Sequence, residues 1–532
     1  MPSTKKLLSI TNLKKYFPIA KSSIFQRQQY YVKANEDISL DIYEGETLGI
    51  VGESGCGKST LGRVLLQLYE QTAGTTMYYG MSRAELAPRY VTDTLRHAKR
   101  YISKLHAAQA RADAASAKVS QLGEAATFFD LQNKNLAVAE YQTAQAHIAK
   151  ILGGFLVRDT EQGAALLYRK ARLEERAAAL SDRIRDIELM LDEAEGGTAD
   201  DGKPANASQL ARLKGRCDRL TRERDGLNAQ IREAEQSIAA IKQAHRDDQE
   251  FQRYEAMLDD GIDLARLKYS EMRILRKDLQ IIFQDPYSSL NPRFTIGQII
   301  EEGLVTHKFF RHGSPKMREH VVRTMKECGL QEYMLFRYPH QFSGGQRQRI
   351  SIARALAVHP KFVVCDECVS ALDVSIQSQI INLLQELKQK EHLTYMFISH
   401  DLSVVRYISD RICVMYLGNV VELADAATVF GDPRHPYTVA LLSSIPTTDM
   451  ESLKKERILL EGSIPSPVKP PDGCKFHTRC WMACDKCRRV PPPLAEIEPG
   501  HFVACHFPER KLDENGNYLF EMPKTEKKSA KE

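Results

Sequence analysis

The hydrophobic positions of this chain follow two kinds of pattern. Residues 48–51 form a short, continuous apolar run, as a strand buried on both faces requires, and residues 58–68 carry apolar side chains at helical spacing. Helical spacing also appears in residues 374–388. We predict an α/β domain whose two halves lie far apart in the sequence, because strand-like runs return at residues 280–283, 362–365 and 395–398.

The stretch between these halves, residues 81–272, has the composition of long helices, rich in Ala, Arg, Glu, Gln and Leu and almost free of proline. Its apolar residues recur with the alternating spacing of three and four that is typical of a coiled coil. The first seam consists of Leu166, Leu173, Ala177, Leu180, Ile184, Ile187 and Leu191. The second, broken only by Arg224, consists of Leu210, Leu213, Cys217, Leu220, Leu227, Ile231, Ala234, Ile238 and Ile241.

Residues 195–208 lie between the two seams and contain Gly-Gly, Asp-Gly and Lys-Pro, which predict a turn. Two helices, each of about 30 residues and about 45 Å long, are then expected to fold back as an antiparallel coiled-coil hairpin. Ordinary bundle helices packed on the main domain are the alternative.

Composition and charge exclude several classes of protein. With 532 residues, 43% hydrophobic and 27% charged, the chain is neither a disulfide-rich mini-protein nor wholly disordered, and it has room for about three or four structural units. A formal net charge of +5 is too small for a dedicated nucleic-acid binder. Because no apolar run approaches about 18 residues, and the N-terminal segment lacks an apolar core, we expect a soluble, cytosolic chain without a signal peptide.

The C-terminal part turns proline-rich and then cysteine-rich over residues 443–508, and residues 509–532 are charged and predict a flexible tail. In a reducing compartment, crowded cysteines favour a metal or a cluster over disulfides. Four thiolates suit either a [4Fe-4S] cluster or structural Zn²⁺, and the spacing does not decide between them; a loop of free thiols is the alternative. The crowded cysteines are Cys474, Cys480, Cys484, Cys487 and Cys505.

Residues 52–59 read G-E-S-G-C-G-K-S and match the phosphate-loop pattern G-x-x-x-x-G-K-[ST], placed after a predicted strand and before a predicted helix. Successive backbone N–H groups can wrap phosphates at a helix N-terminus, Lys58 can neutralise the β and γ oxygens, and the Ser59 hydroxyl can bind Mg²⁺. The predicted nucleotide contacts are Gly52, Ser54, Gly55, Cys56, Gly57, Lys58, Ser59 and Thr60.

Three polar side chains follow later predicted strands. Asp366 and Glu367 end the run over residues 362–365, and His400 lies just beyond the run over residues 395–398. Ligands of parallel sheets gather at the carboxyl ends of the strands. Asp366 can hold Mg²⁺ directly or through water, Glu367 can polarise the water that attacks the γ-phosphate, and His400 can bind that water and a phosphate oxygen.

A second predicted helix N-terminus occurs at residues 342–349, F-S-G-G-Q-R-Q-R, followed by an apolar-faced helix. It offers another anion site at Ser343, Gly344, Gly345 and Gln346. One mononucleotide does not need two such sites, so this one is expected to meet a nucleotide held by a partner subunit. With these elements in this order, the chain resembles the ATP-binding cassette (ABC) superfamily over about residues 7–80 and 276–447.

The resemblance implies further roles. Gln284 resembles the family's Q-loop glutamine, which contacts Mg²⁺ and the attacking water and senses the membrane subunit, so it joins Glu367 and His400 as a catalytic candidate. Residues 370–373, S-A-L-D, match the D-loop and imply that Asp373 lies at the nucleotide. The aromatic that stacks on adenine is assigned to Tyr30, with Tyr31 and Tyr16 as alternatives that spacing does not separate.

Two phrases narrow the resemblance: F-Q-D-P-Y-S-S-L-N-P at residues 283–292 and H-P-Y-T-V-A-L-L at residues 435–442. Both are similar to the ATPase subunits of oligopeptide and dipeptide importers, and more to the F-type subunit than to its partner. The resemblance implies ATP hydrolysis that powers peptide import at the cytoplasmic face of the membrane, with ATP and Mg²⁺. It also implies a [4Fe-4S] cluster, with Zn²⁺ as the alternative, at Cys474, Cys480, Cys487 and Cys505.

The implied partners are a second ABC ATPase, favoured as a paralogue, two transmembrane permeases and an extracytoplasmic peptide-binding protein, without nucleic acid. The expected organisation is residues 1–80 and 273–442 for the two parts of the cassette, residues 81–272 for the helical insertion, residues 443–508 for the cysteine-rich extension and residues 509–532 for the tail.

The chain departs from the family pattern at two places. Cys368 stands where the family usually has proline, and the whole insertion separates Lys58 from Gln284. An SMC-type DNA-maintenance ATPase is the main alternative, but its coil normally enters after the Q-loop and is longer. A ribosome-acting ABC ATPase is a third reading, although that class usually has two cassettes per chain.

Overall fold

The computed structural model describes residues 5–21, 28–195, 207–310, 313–445 and 458–508. The predicted tail, residues 509–532, and most of the predicted turn over residues 195–208 lie outside these ranges. The described strands are β1 (Lys6–Pro18), β2 (Tyr31–Tyr43), β3 (Thr47–Val51), β4 (Ala73–Tyr78), β5 (Ile262–Asp263), β6 (Leu279–Ile282), β7 (Phe362–Asp366), β8 (Thr394–Ile398), β9 (Arg411–Tyr416), β10 (Asn419–Asp425), β11 (Ala495–Glu498) and β12 (His501–Val503).

The described α-helices are α1 (Lys58–Leu65), α2 (Arg83–Leu86), α3 (Arg89–Arg96), α4 (Ala98–Leu122), α5 (Phe128–Leu152), α6 (Thr160–Glu195), α7 (Ala207–Ala244), α8 (Gln249–Glu255), α9 (Tyr269–Leu275), α10 (Pro286–Ser289), α11 (Ile296–Thr306), α12 (Pro315–Glu327), α13 (Gly344–Leu356), α14 (Val374–Glu391), α15 (Leu402–Ile408), α16 (Ala426–Gly431), α17 (Pro436–Ser443) and α18 (Asp485–Arg489). In these ranges no helix is both long and apolar enough to cross a membrane.

The larger sheet has the strand order β11-β12-β10-β9-β3-β8-β7-β6. Strands β3, β6, β7 and β8 run parallel, and every residue of β3, β7 and β8 is buried. This confirms the strands predicted from the apolar runs, each to within one residue. Because these four strands are parallel, their carboxyl ends lie along one edge of the sheet.

Alternate residues of β7 point to opposite faces of the larger sheet, as strand geometry requires. Val363 and Cys365 join a core that includes side chains of α11 to α14. Phe362 and Val364 join a second core, with side chains of α1 and of the smaller sheet, β2-β1-β4-β5. The helix predicted over residues 58–68 ends at Leu65, and Gln67 then takes a positive φ of 52°.

The helices α2 to α8 enter the cassette between two paired strands. The chain leaves after β4 and returns in β5, where Met77 pairs with Asp263 and Tyr78 with Ile262. Since the two ends of this insertion are neighbours in one sheet, its length adds little loop-closure cost. The insertion thus interrupts the cassette without separating the strands on either side.

Helices α6 and α7, called the arm below, have 36 and 38 residues and run antiparallel. Lys170 Nζ on α6 lies 2.8 Å from Glu235 Oε1 on α7. Ile238 lies further along α7 and packs near Leu166, which precedes Lys170 on α6. The buried side chains between the two helices occupy the predicted seam positions: Leu173, Ala177, Leu180, Ile184, Ile187, Leu220 and Leu227. Helices α4 and α5 pack at the base of the arm, around Leu105, Ile148 and Leu152.

The C-terminal segment extends the larger sheet. Strand β12 pairs antiparallel with β10, and β11 pairs with β12. The buried Glu422 of β10 accepts hydrogen bonds from His501 Nε2 (2.8 Å) and from the backbone N–H groups of Arg434 (2.7 Å) and His435 (2.9 Å). Burial raises the pKa of this carboxyl, but His501 and the other donors outweigh it and hold the pKa below its ordinary value.

Candidate nucleotide site and cysteine-rich segment

The phosphate loop joins β3 to α1 through backbone conformations that need glycine. Gly52 has φ 148° and Gly57 has φ 102°. A Cβ on Gly52 would collide with the carbonyl oxygen of Met415, and one on Gly57 with that of Ala34. Ser54 and Gly55 are exposed along the loop, Cys56 is buried, and Ser59 and Thr60 lie half-buried in the first turn of α1. The motif therefore has the expected strand, loop and helix around it.

Lys58 is 5% exposed and folds back on its own loop. Its Nζ donates to the carbonyl oxygens of Gly52 at 2.7 Å and Glu53 at 3.1 Å. The ammonium group is thus held within the loop that precedes it, where the backbone carbonyls replace the water lost on burial.

The two strongest Mg²⁺ candidates are in contact. The Ser59 hydroxyl donates to Asp366 Oδ1 at 2.5 Å, and the Asp366 side chain is buried. Arg63 lies one turn further along α1, and its guanidinium nitrogen Nη2 is 3.4 Å from Asp366 Oδ2. A hydroxyl and a carboxylate next to each other suit a hard divalent cation. Sequence reasoning missed Arg63, since an arginine on a helix is usually a surface residue.

The three predicted catalytic residues also meet. Gln284 Nε2 donates to Glu367 Oε2 at 2.9 Å, and His400 Nδ1 lies 3.6 Å from the same oxygen. These side chains follow β6, β7 and β8, so the parallel sheet brings them to one edge. Glu367 itself has a positive φ of 49°, and its backbone N–H donates to the Ile398 carbonyl of β8. Asp366 therefore points to Ser59, while the next carboxylate points to Gln284.

The residues of the second predicted anion site form a capped helix start. Ser343 Oγ accepts from the backbone N–H of Gln346, and Gln346 Oε1 accepts from the backbone N–H of Ser343. Ser343 and Gly344 are exposed, whereas Gly345 packs against Ile376. Asp373 starts α14 and is exposed as well. Within the described ranges, no hydrogen bond or ion pair links these side chains to the phosphate loop.

The three candidate adenine-stacking tyrosines have different surroundings. The ring of Tyr30 lies 5.1 Å from that of Phe129 at the start of α5, and Lys469 Nζ lies 5.3 Å from its centre. Tyr16 is buried and donates from its hydroxyl to Glu36 at 2.8 Å. The centre of the Tyr31 ring lies 6.3 Å from the centre of the Tyr16 ring. Tyr30 thus packs against the insertion, and its role at the base stays a prediction.

The four predicted cysteine ligands line one narrow cavity, together with Phe476 and with histidines that include His435. Burial raises the pKa of the Cys480 thiol to about 12 and that of Cys505 to about 11. Cys484, the fifth cysteine, has its sulfur 3.7 Å from that of Cys487. The cavity-lining thiols are Cys474, Cys480, Cys487 and Cys505.

Among the described residues, no three His, Cys, Asp or Glu side chains form a ready-made metal site. In donor chemistry, the four cavity-lining thiols fit a thiophilic metal, which would bind them as thiolates. Of the remaining cysteines, five are buried and Cys217 lies at the edge of the arm's core.

Two ion pairs connect the cysteine-rich segment to the cassette. Arg479 donates to both carboxylate oxygens of Glu53 in the phosphate loop, at 2.8 and 3.1 Å. Lys475 donates to Glu36 at 2.8 Å. Burial raises the pKa of Glu36, but the nearby Lys475 charge outweighs it and keeps this pKa well below its ordinary value. Sequence reasoning missed both pairs, because Glu53 and Arg479 are 426 positions apart.

Comparison with known proteins agrees with this geometry. Residues 35–155 and 249–370 match the ABC transporter family, and residues 421–487 match the oligopeptide/dipeptide transporter C-terminal region. The protein YkfD of Bacillus subtilis (strain 168) is 53% identical over 248 residues, which are 46% of this chain and 75% of YkfD. The oligopeptide transport ATP-binding protein AppF of the same strain is 52% identical over 250 residues, 46% of this chain and 75% of AppF.

This chain belongs to the ABC transporter family of ATP-binding proteins. Its α/β cassette is the ATP-hydrolysing unit of that family, and ATP with Mg²⁺ is its expected substrate. Both parts of the family match stop short of residues 156–248, which contain the arm.

Proposed function

We propose that this chain is the ATP-hydrolysing subunit that powers peptide import through an ABC transporter. The observation that carries the proposal is the meeting of Gln284, Glu367 and His400 at the sheet edge that also holds the phosphate loop. The peptide cargo is proposed from the C-terminal region match and from relatives such as AppF. The SMC-like alternative has no support from the comparisons.

In this proposal the phosphate loop binds the triphosphate. Lys58 leaves the carbonyl oxygens that it now contacts and binds the β and γ oxygens, while the loop's N–H groups bind the remaining charge. Ser59 and Asp366 would hold Mg²⁺, which neutralises charge on the phosphates. Backbone amides and Lys58 then stabilise the negative charge that spreads over the γ-phosphate oxygens.

Glu367 acts on the attacking water, and its neighbours hold it in place. Gln284 Nε2 donates a 2.9 Å hydrogen bond to Oε2 of the Glu367 carboxylate, and His400 Nδ1 lies 3.6 Å from the same oxygen. The other oxygen, Oε1, is then available to orient a water, with His400 as a second contact to that water and to phosphate. In this mechanism each of the strands β6, β7 and β8 is followed by one side chain of the site.

A second cassette completes the site. Ser343 and Gly344 are exposed at the start of α13, and Asp373 is exposed at the start of α14. These groups would contact ATP bound to the phosphate loop of a partner cassette, which is favoured as a paralogue. The corresponding residues of the partner would contact ATP bound to the phosphate loop of this chain. Two permeases and an extracytoplasmic binding protein would complete a transporter in which this chain is peripheral on the cytoplasmic face.

We also propose that the arm is an antiparallel coiled-coil hairpin, supported by the heptad positions buried between α6 and α7. The four convergent cysteines are proposed to bind a [4Fe-4S] cluster, with Zn²⁺ as the alternative, because thiolates are soft ligands for either. Iron, sulfide and zinc measured together on anaerobically purified protein would separate the two.

The central test replaces Glu367 by Gln. Loss of the carboxylate should lower ATP turnover by about 100- to 1,000-fold, the size of effect seen when one catalytic polar group is removed. ATP binding should persist, and the closed pair of cassettes should accumulate in size-exclusion chromatography with ATP. Glu386→Gln, an exposed change on α14, is the matched control. Undiminished turnover in Glu367→Gln would refute the assigned role.

A further inference from the structure

The short segment from Cys474 to Cys480 connects the cysteine cavity to the cassette through three side chains. Lys475 Nζ donates to Glu36 and to the carbonyl oxygen of Leu417, at 2.8 and 2.9 Å. Phe476 and Arg479 are the other two side chains. All three lie between two of the cysteines that line the cavity.

Phe476 is 1% exposed and forms the middle of this connection. Its ring lines the cysteine cavity and also lies 5.4 Å from the ring of Tyr437. The Tyr437 hydroxyl in turn accepts a 2.8 Å hydrogen bond from the backbone N–H of Glu53. A displacement of the cysteine segment would therefore be transmitted by close packing to the backbone of the phosphate loop.

Arg479 makes the most direct link. Its two parallel hydrogen bonds fix both oxygens of the Glu53 carboxylate, and the Arg479 side chain is only 7% exposed. A two-pronged bond of this kind sets orientation as well as distance. The carbonyl oxygen of Glu53 accepts from Lys58 Nζ. The Arg479 guanidinium thus fixes the position of Glu53, and Glu53 in turn contacts Lys58.

We infer that Arg479 is a positioning residue for the phosphate loop, and that through it the binding of a thiophilic metal at the cysteine cavity is linked to nucleotide affinity. A metal held by Cys474 and Cys480 would fix both ends of the segment that carries Arg479. This inference rests on the proposed nucleotide and metal sites. It goes beyond them because it gives the cysteine-rich segment a role in ATP binding.

Thermodynamic linkage makes the inference testable from both sides. If the metal raises nucleotide affinity by some factor, the nucleotide must raise metal affinity by the same factor. Coupling between sites is usually worth about 5- to 150-fold. We expect the dissociation constant for MgADP to rise by about that much when the metal is removed, and MgADP to protect the metal against a chelator.

The experiment uses the full chain, purified anaerobically with its metal, then stripped with a chelator and reloaded with Zn²⁺ as the probe. The dissociation constant of MgADP is measured by calorimetry in each state, and metal loss to the chelator is followed with and without MgADP. Arg479→Gln should bind MgADP weakly, keep its metal, and lose the response to stripping. Arg479→Lys, which keeps the charge but not the two-pronged bond, should be intermediate.

The matched control is Arg489→Gln, an exposed change on α18 in the same segment, which should behave as the unmodified chain. If Arg479→Gln does not fold, Glu53→Gln removes the same pair from the other side. Equal MgADP affinity with and without metal, a chain that binds neither its own metal nor Zn²⁺, or a metal response that survives in Arg479→Gln would each overturn the inference.

The variant Lys58→Ala distinguishes failure of the inferred linkage between metal and nucleotide from failure of the proposed function. Loss of MgADP binding in Lys58→Ala, together with no metal response in the unmodified chain, refutes only the linkage. Unchanged MgADP binding in Lys58→Ala would instead refute the nucleotide site itself.

Discussion

The cassette and the arm are stabilised by contacts of opposite range. In the cassette, neighbouring strands come from distant parts of the chain, as where Thr47 of β3 pairs with Tyr395 of β8. In the arm, α6 packs mainly on α7, the helix that follows it in the described sequence, through side chains such as Leu180 and Leu227, while its first turns also join the core at the base. The chemistry of the cassette therefore depends on long-range assembly, whereas the arm can form from local pattern alone.

This difference predicts that damage to either region leaves the other intact. Local units of a protein can open separately when few contacts join them to the remainder. One exposed ion pair, between Asp186 of α6 and Lys308 beyond α11, reaches from the arm towards the cassette, and such a pair contributes little. The following variants test the separation, from the largest expected effect to the smallest.

Lys58→Ala should have the largest effect, and it should be confined to the cassette. Removing the buried ammonium group takes away the charge that we propose neutralises the phosphates, so ATP turnover should fall by at least about 100-fold. Steady-state phosphate release measures this. The control is Lys170→Ala in the arm, which loses an ion pair to Glu235 and should keep turnover within about twofold. A comparable fall in both variants would mean that the arm takes part in catalysis.

Leu180→Ala should destabilise the arm alone. The side chain is 6% exposed between α6 and α7, and a truncated buried leucine typically costs about 2–5 kcal/mol. Hydrogen exchange should show lost protection in α6 and α7 and unchanged protection in β3 and β7, with ATP turnover unaltered. Met190→Ala, a more exposed change on α6, is the control. Lost protection in the strands would contradict the separation.

Glu422→Gln should have the smallest effect, a loss of about 1–3 kcal/mol in the attachment of β12 to β10, because buried donors lose a charged acceptor. The folded-state pKa of Glu422 lies below its ordinary value of 4.5. Its contribution to stability is therefore present above about pH 4.5 and is lost as the pH falls through the folded-state pKa. Thermal unfolding from pH 7 to pH 3 should show this loss in the unmodified chain and a smaller one in the variant.

Much of the candidate nucleotide site was predictable because its signals are local. The phosphate loop is a contiguous motif, and only glycine tolerates the backbone found at Gly52 and Gly57. Asp366, Glu367 and His400 became candidates because they lie at the ends of strands that are buried on both faces, and such strands read as unbroken apolar runs.

Other parts were not predictable, for identifiable reasons. Strands β11 and β12 are only four and three residues long, and their place depends on pairing with β10 rather than on their own pattern. The contact of Arg479 with Glu53 has no periodicity or motif that could signal it. The core around Leu105 and Ile148, at the base of the arm, combines α3, α4, α5 and α6, and no local pattern specifies how these helices pack on one another.

The amino-acid sequence by itself determined the strands, the phosphate loop and the seam of the arm, since each follows from short-range periodicity or from a conformation that few residues can adopt. Only the tertiary structure decided which distant side chains share a site: Ser59 with Asp366, Gln284 with Glu367, and Arg479 with Glu53. The physical reason is that strand order and packing, which no local pattern specifies, bring residues from different parts of the chain to the same edge of the sheet.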